Sequence, residues 1–179
     1  ERLERYEYAW DVEEGKPKLT RSISLRDPNR PGDVAELLKS MAEIPGVDYV
    51  GLDYIRNALG GYELIDDFFK EMPGVEPAPE WKDLDREERM IWFHHKKVMR
   101  RDLDFVDAWQ WWRAHRVGRI VREIKDEVGS GVSLWAFTLT WDKGWHHGQD
   151  PVMMNDAGVD VDALMLYEAD SDQFDLILK

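Results

Sequence analysis

The sequence predicts an α/β fold, a segment of a parallel (β/α) barrel that is either incomplete or part of a longer barrel. Predicted strands alternate with helices, which implies parallel pairing through right-handed crossovers. The two later strands, 132–141 and 161–167, are β-branched and aromatic without alternating charge, as strands covered on both faces are. The chain has 179 residues, whereas a complete eight-stranded barrel needs about 250. We therefore expect a single barrel-type domain or fragment over residues 1–179.

The first half of the chain reads as a β-α-β unit. After a turn at Gly15 to Pro17, residues 19–25 form a short extended run. Asp33 is the expected N-cap of a helix, with Glu36 completing a capping box. Pro45 and Gly46 end this helix before a compact strand over 47–53. Its expected apolar stripe consists of Val34, Leu37, Leu38 and Met41.

The second half begins with a charged helical insertion at about 60–104, helical from about Asp83 to Arg101. The longest helix is expected from Phe105 to Val128, because apolar residues recur there at helical spacing, and Gly129 ends it. With about four strands an open sheet keeps two unpaired edges. Missing flanking chain, a partner subunit or extra covering elements are therefore expected at these edges.

Composition excludes several classes of function. The formal net charge is −13, from 24 Lys and Arg against 37 Asp and Glu, so binding to nucleic acid is not expected. No apolar stretch approaches the roughly 18 residues of a membrane span. The chain has 0 cysteines, which excludes thiol nucleophiles and zinc–thiolate sites. The 9 Trp residues are an excess that suits stacking on sugars. No cofactor is expected, and the cellular location is left open.

Candidate site residues follow from the rule that sites in parallel α/β folds lie at the carboxyl ends of strands. Side chains alternate between the two faces of a strand, so Asp53 lies on the same face as Tyr49 and Gly51. The apolar residues Val50 and Leu52 lie on the other face, which we expect to pack against helices. Asp53 either faces a ligand, pairs with Arg56, or caps the following loop. The same rule selects a further set of residues: Tyr54, Arg56, Trp141, Asp142, Tyr167, Glu168 and Asp170.

Two stretches of the chain resemble a known family. Leu25 to Val34, the helix that follows, and Gly46 to Arg56, which ends in Asp-Tyr-Ile-Arg, are similar to a segment of the glycoside-hydrolase-like TIM-barrel proteins. The order of the later elements agrees, with Trp112-Arg113, Gln149-Asp150 and the stretch from Gly158 to Tyr167. The resemblance covers most of residues 19–175 and implies a segment from the middle of a barrel.

The resemblance implies a glycoside hydrolase that acts on a polysaccharide. Such enzymes usually use two carboxyl groups, and we expect Asp53 to be the first and Glu168 the second, with Asp142 and Asp170 as competitors. The negative net charge of the chain favours a neutral or cationic glycan as the substrate. The expected substrate-binding residues are Tyr54, Arg56, Trp141, Trp145, Gln149, Asp150 and Tyr167, whereas Trp135 is expected in the core.

Two alternatives stay open at this point. One is a non-catalytic carbohydrate-binding protein, in which the carboxyl groups lack a productive separation. The other is a structural assembly component whose sheet edges pair with another subunit. A metal site is not expected, because the adjacent His146 and His147 point in divergent directions and lack the spacing of helical metal ligands.

Overall fold

The computed structural model describes residues 5–55, 60–100, 102–138 and 148–165. The chain divides into two compact units. The first unit comprises residues 1–28 and 57–112, and the second comprises residues 29–56 and 113–179. The predicted charged insertion at 60–104 therefore lies within the first unit.

The first unit opens with an antiparallel hairpin of β1 (Tyr6–Asp11) and β2 (Lys16–Ile23). Gly15 adopts a φ of 65° in the connecting turn, a conformation that glycine reaches without strain. Part of the strand predicted over 19–25 is present as β2. The prediction that it joins a parallel sheet is wrong, because β2 pairs with β1 in an antiparallel hairpin. A short turn favours this local pairing because little loop entropy is lost.

A buried glutamate joins the hairpin to the helices of this unit. Glu63 lies in a short 3₁₀ helix, Tyr62–Leu64, which leads into α2 (Ile65–Glu71). Its carboxylate accepts a hydrogen bond from the amide of Tyr8 at 2.8 Å and another from the hydroxyl of Ser24 at 2.6 Å. Arg26 donates to the backbone carbonyl of Glu63 at 2.9 Å. These bonds satisfy polar groups that burial would otherwise leave without partners.

The next helix, α3 (Arg86–His94), begins with a capping box. The Asp85 carboxylate accepts from the amide of Glu88 at 2.9 Å, and the Glu88 carboxylate accepts from the amide of Asp85 at 2.8 Å. One turn of π-helix, His95–Met99, follows directly. The helical stretch predicted from about Asp83 to Arg101 is therefore confirmed in its central part.

The core of the first unit is mainly aromatic, and His94 is part of it. The His94 ring stacks on Trp10 with the ring centroids 3.6 Å apart and an angle of 7° between the planes. Its Nδ1 atom lies 3.0 Å from the hydroxyl of Tyr62. The buried cluster consists of Tyr62, Leu64, Ile65, Phe68, Trp81, Met90, Phe93, Phe105, Trp109 and Trp112. Trp109 and Trp112 thus pack in the core, as the helical spacing allows.

The second unit begins with α1 (Arg30–Ala42), which precedes β3 (Tyr49–Leu52). The N-cap is Asn29 rather than the predicted Asp33, which lies in the first turn and stabilises the positive end of the helix. The buried residues are Pro31, Ala35 and Leu38. The predicted apolar stripe is therefore wrong for Leu37 and Met41, which are exposed.

A three-stranded parallel sheet forms the centre of the second unit. Its order is β3, β4 (Ser133–Thr138) and β5 (Val161–Leu164). Gly51 pairs with Trp135, and Trp135 pairs with Val161. The parallel pairing predicted for these three strands is confirmed.

The predicted fold class, a segment of a parallel (β/α) barrel, is wrong. The described strands form a two-stranded antiparallel sheet and a separate three-stranded parallel sheet, and no closed barrel is present among the described residues. The physical reason lies in the first strand of the predicted barrel: residues of β2 find a partner across a tight turn and so are not available to the parallel sheet.

Helices pack against the buried face of the parallel sheet in the described part of the chain. Long helix α4 (Leu103–Val128) confirms the predicted helix within two residues at its start, and α5 (Pro151–Asp156) lies between β4 and β5 in the chain. Along β4 the residues alternate between buried and half-buried. The predicted burial of this strand is therefore confirmed for one face, and the residues on the other face are half-buried. The buried residues of this layer include Val50, Leu52, Val117, Val121, Ile124, Leu134 and Ala136.

Candidate functional site

The carboxyl ends of β3, β4 and β5 meet at one edge of the sheet because the strands are parallel. Ligands of open α/β folds commonly bind just outside this edge, where side chains leave the core. Asp53 and Tyr54 follow β3 directly, Thr138 ends β4, and Met165 follows β5. The predicted alternation along β3 is confirmed, since Val50 and Leu52 are buried whereas Tyr49 is 53% exposed.

Asp53 is exposed at this edge, and its carboxylate organises the start of the following loop. Oδ1 accepts a hydrogen bond from the amide of Tyr54 at 2.7 Å. Within the described residues no hydrogen bond to Oδ2 is present. The bond to the amide of Tyr54 agrees with one of the three alternatives for Asp53, in which its carboxylate caps the following loop.

Tyr54 has an unusual backbone conformation. Its φ is 50°, in the left-handed region, and no other described non-glycine residue has a positive φ. For a residue with a Cβ this region costs energy, and such residues cluster at binding and catalytic sites. The side chain is 73% exposed. The unusual backbone conformation therefore lies directly after Asp53.

The sheet face opposite the helices carries an aromatic pair. The Trp135 and Phe137 rings meet edge to face, with centroids 4.7 Å apart and an interplanar angle of 86°. The indole of Trp135 lies over Gly51, because a Cβ built on that glycine would be only 2.0 Å from Trp135 Cε2. We call this the open face and define it by Gly51, Trp135, Phe137 and Val161.

The open face is partly accessible. Trp135 and Phe137 are half-buried, and Val161 on the neighbouring strand is 45% exposed. The expectation that Trp135 belongs to the core is therefore wrong. Sequence reasoning missed it because a β-branched and aromatic run does not reveal which face is covered. The glycine opposite it, Gly51, was the available signal, since glycine within a strand often marks the close approach of another group.

Gln149 and Asp150, expected to bind substrate, both have structural partners. Gln149 is fully buried, and its Nε2 donates to the carbonyl of Phe137 at 2.9 Å, which ties the loop before α5 to β4. The Asp150 carboxylate caps α5 by accepting from the amides of Val152 at 2.9 Å and Met153 at 3.3 Å. These contacts position the loop and leave Gln149 inaccessible to a ligand.

Two side-chain oxygen atoms of β4 and β5 are buried without a hydrogen-bond partner among the described residues. They are Thr138 Oγ1 and Asp162 Oδ1. Burial raises the pKa of Asp162, and a hydrogen bond from Asn155 acts in the opposite direction. Asp162 pairs with Ala136, which points away from the open face, so it lies on the side of the sheet that the helices cover.

Several predicted site residues lie outside the described residues: Arg56, Trp141, Trp145, Tyr167 and Glu168, together with the competing acids Asp142 and Asp170. His146 and His147 also lie outside them. Among the residues that the structure describes, no group of three His, Asp or Glu side chains is arranged to hold a metal ion. No helix in this part of the chain is both long and apolar enough to cross a membrane.

The chain was compared with protein families, with curated proteins and with solved structures. No protein-family model, curated protein or solved structure matches the chain. The resemblance to glycoside-hydrolase-like proteins therefore stays a prediction that rests on the motifs alone.

Proposed function

We propose that the second unit binds a carbohydrate on the open face and at the adjacent carboxyl edge of its parallel sheet. The observation that carries the proposal is the half-buried indole of Trp135, held over Gly51 two residues before Asp53. Flat indole rings pack against the apolar faces of sugars, while carboxylates accept hydrogen bonds from sugar hydroxyls. The exposed carboxylate of Asp53 provides such an acceptor.

The reaction that we propose for this site is glycoside hydrolysis, with Asp53 and Glu168 as the two carboxyl groups. One acts as the acid on the leaving oxygen, and the other acts as nucleophile or base. The strained conformation of Tyr54 supports a functional role for this loop, because such strain persists where the surroundings hold it for a purpose. The net charge of −13 favours neutral or cationic glycans as substrates.

Binding is tested first, with the 179-residue chain and a panel of neutral, cationic and acidic polysaccharides in affinity electrophoresis. We expect retardation by a neutral or cationic glycan and its loss in Trp135→Ala. Trp111→Ala is the matched control, since it removes an indole that is 41% exposed on α4. Binding that survives in Trp135→Ala, or no binding to any member of the panel, would overturn the proposal.

Hydrolysis is tested separately, by reducing-sugar release from the polysaccharide that binds. Asp53→Asn removes the negative charge with little change of shape, so we expect release to fall by at least about 100-fold, as loss of a catalytic acid or base does, while binding is retained. Binding through Trp135 without measurable release would favour the second candidate, a non-catalytic carbohydrate-binding protein. The bond from Tyr54 to the Asp53 carboxylate supports that candidate, since it gives the acid a structural task.

A further inference from the structure

A basic cleft lies between α4 and α5 in the second unit, away from the residues used above. Its volume is about 200 Å³. His115, Arg119 and Arg122 line one wall, and Met153 with Asp156 lines the other. The helices approach closely because Gly118 faces Met153, and a Cβ on that glycine would lie 3.7 Å from the Cβ of Met153.

The histidine and the two arginines share one side of α4. Positions 115, 119 and 122 are separated by four and three residues, the spacing that aligns side chains along a helix. The Arg122 guanidinium donates a hydrogen bond to the backbone carbonyl of Asp156, which fixes it at the cleft. A guanidinium has five N–H donors in a planar fork, so one such bond leaves donors for a ligand.

The side chains that line the cleft include more basic than acidic groups, although the whole chain is acidic. The pKa of His115 is lowered, first by burial and then by the charge of Arg119, while Asp150 acts in the opposite direction. The two guanidinium groups outnumber the single carboxylate that lines the cleft, that of Asp156. A bound dianion would offset the positive charge and ease protonation of His115.

We propose that this cleft binds the doubly charged oxyanion group, of the phosphate or sulfate class, of a small molecule. Two arginines suit a dianion better than a single carboxylate, because each guanidinium can donate two parallel hydrogen bonds to tetrahedral oxygens. The cleft is smaller than the roughly 300 Å³ at which pockets for drug-sized ligands begin. It therefore fits the charged group and leaves the remainder of the ligand outside.

The test is an NMR titration of the full chain with sodium sulfate at constant ionic strength. Sulfate is the probe because it stays a dianion across the pH range in which histidine titrates. The His115 ring signals, assigned with His115→Gln, are expected to shift along a saturable curve, and sulfate is expected to raise the pKa of His115. A shift that grows linearly without saturation would overturn the proposal.

The arginines provide the decisive comparison. We expect Arg119→Gln and Arg122→Gln each to weaken sulfate binding by about tenfold or more, as loss of a charged hydrogen bond does. Lys82→Gln removes the same charge from an exposed position in the first unit and is expected to leave binding unchanged. Because Arg119 is exposed, its replacement is not expected to disturb folding. Equal binding by Arg119→Gln and the unchanged chain would refute the site.

Two further titrations, one with acetate and one with sulfate at several pH values, define the charge of the ligand. Acetate tests a carboxylate as the source of negative charge, and acetate that binds as tightly as sulfate would overturn the assignment to a dianion. Sulfate affinity is expected to rise as the pH falls from about 7.5 to about 5.5, because binding favours protonated His115. The charged groups around this ring are Arg119, Arg122, Asp150 and Asp156. His115→Gln is therefore expected to remove the pH dependence, and a dependence that persists would contradict the proposed role of His115.

Discussion

Replacement of Gly51 by alanine is expected to destabilise the second unit by displacing Trp135. The added Cβ would lie 2.0 Å from Cε2 and 2.2 Å from Cζ2 of the indole, whereas ordinary contacts begin at 3.4 Å. The ring is rigid and sits in the sheet next to Phe137, so it must withdraw by more than an ångström or push the strands apart. Either response removes the indole from the position in which it faces a sugar.

The expected magnitude follows from the cost of overpacking. Insertion of a methyl group into a packed site typically costs about 1–3 kcal/mol, and we expect the upper half of that range because no flexible side-chain end can absorb the clash. The free energy of unfolding is measured by urea denaturation followed by circular dichroism. Hydrogen exchange of the amides of β3 and β4 assigns the loss to this sheet.

Two comparisons decide whether the clash is the cause. Gly131→Ala is the matched control, since no atom lies within 4 Å of its added Cβ and its φ is not positive, so we expect no loss of stability. In a Trp135→Ala background the cost of Gly51→Ala is expected to disappear, because the obstructing ring is gone. If Gly51→Ala costs as much there as in the unchanged chain, the reasoning is refuted.

Two further predictions concern α3 in the first unit. Asp85→Ala breaks the capping box and is expected to lower the free energy of unfolding by about 1 kcal/mol, measured by urea denaturation and by faster hydrogen exchange in the first turn of α3. Burial, reinforced by the charges of His95 and Lys97, lowers the pKa of His94 in the folded state. The unfolded chain then binds the proton more readily, so the free energy of unfolding is expected to fall as the pH drops below about 6.5, and this slope is expected to flatten in His94→Gln.

Matched variants separate these effects from general loss of charge. Glu87→Ala removes an acid from the same turn of α3 without touching the capping box, so a loss equal to that of Asp85→Ala would count against the cap. His95→Gln removes an exposed imidazole next to His94 and is expected to keep most of the pH dependence. The same slope in the unchanged chain and in His94→Gln would show that another group titrates.

The sequence predicts elements well where one physical signal dominates. The helix that ends at Val128 has regular apolar spacing over seven turns and a glycine after its last residue, and the structure differs from it only at the start. The strands β3, β4 and β5 are compact runs flanked by turn residues, and their parallel order follows from the helices between them. These patterns are local, and tertiary contacts do not compete with them.

The predictions that are wrong depend on partners distant in the sequence or on burial. Residues of β2 have the composition of a strand, but nothing within them shows that their partner is the neighbouring segment Tyr6–Asp11. The alternation of aromatic and acidic side chains in Tyr6–Asp11 is itself a strand signal that the prediction did not use. Helix α1 begins at Arg30, before the favoured cap Asp33, because proline is well suited to the first turn of a helix. A buried stripe centred on the small Ala35 then replaces the larger apolar residues that periodicity selects.

In the candidate site too, one residue could be predicted from its local sequence and another depends on a partner distant in the sequence. Asp53 could be found from its place after a strand and from the alternation that leads to it, and the structure exposes it at that edge. Trp135 could not be assigned from its own segment, because only the pairing of β3 with β4 brings its ring over Gly51. The combination supports the proposal more than either residue alone, because an acid at a strand end is common, whereas a half-buried indole on the same face of the sheet adds a flat apolar surface of the kind that packs against sugars. The carbohydrate proposal therefore rests on a contact between strands, and Gly51→Ala tests that contact directly.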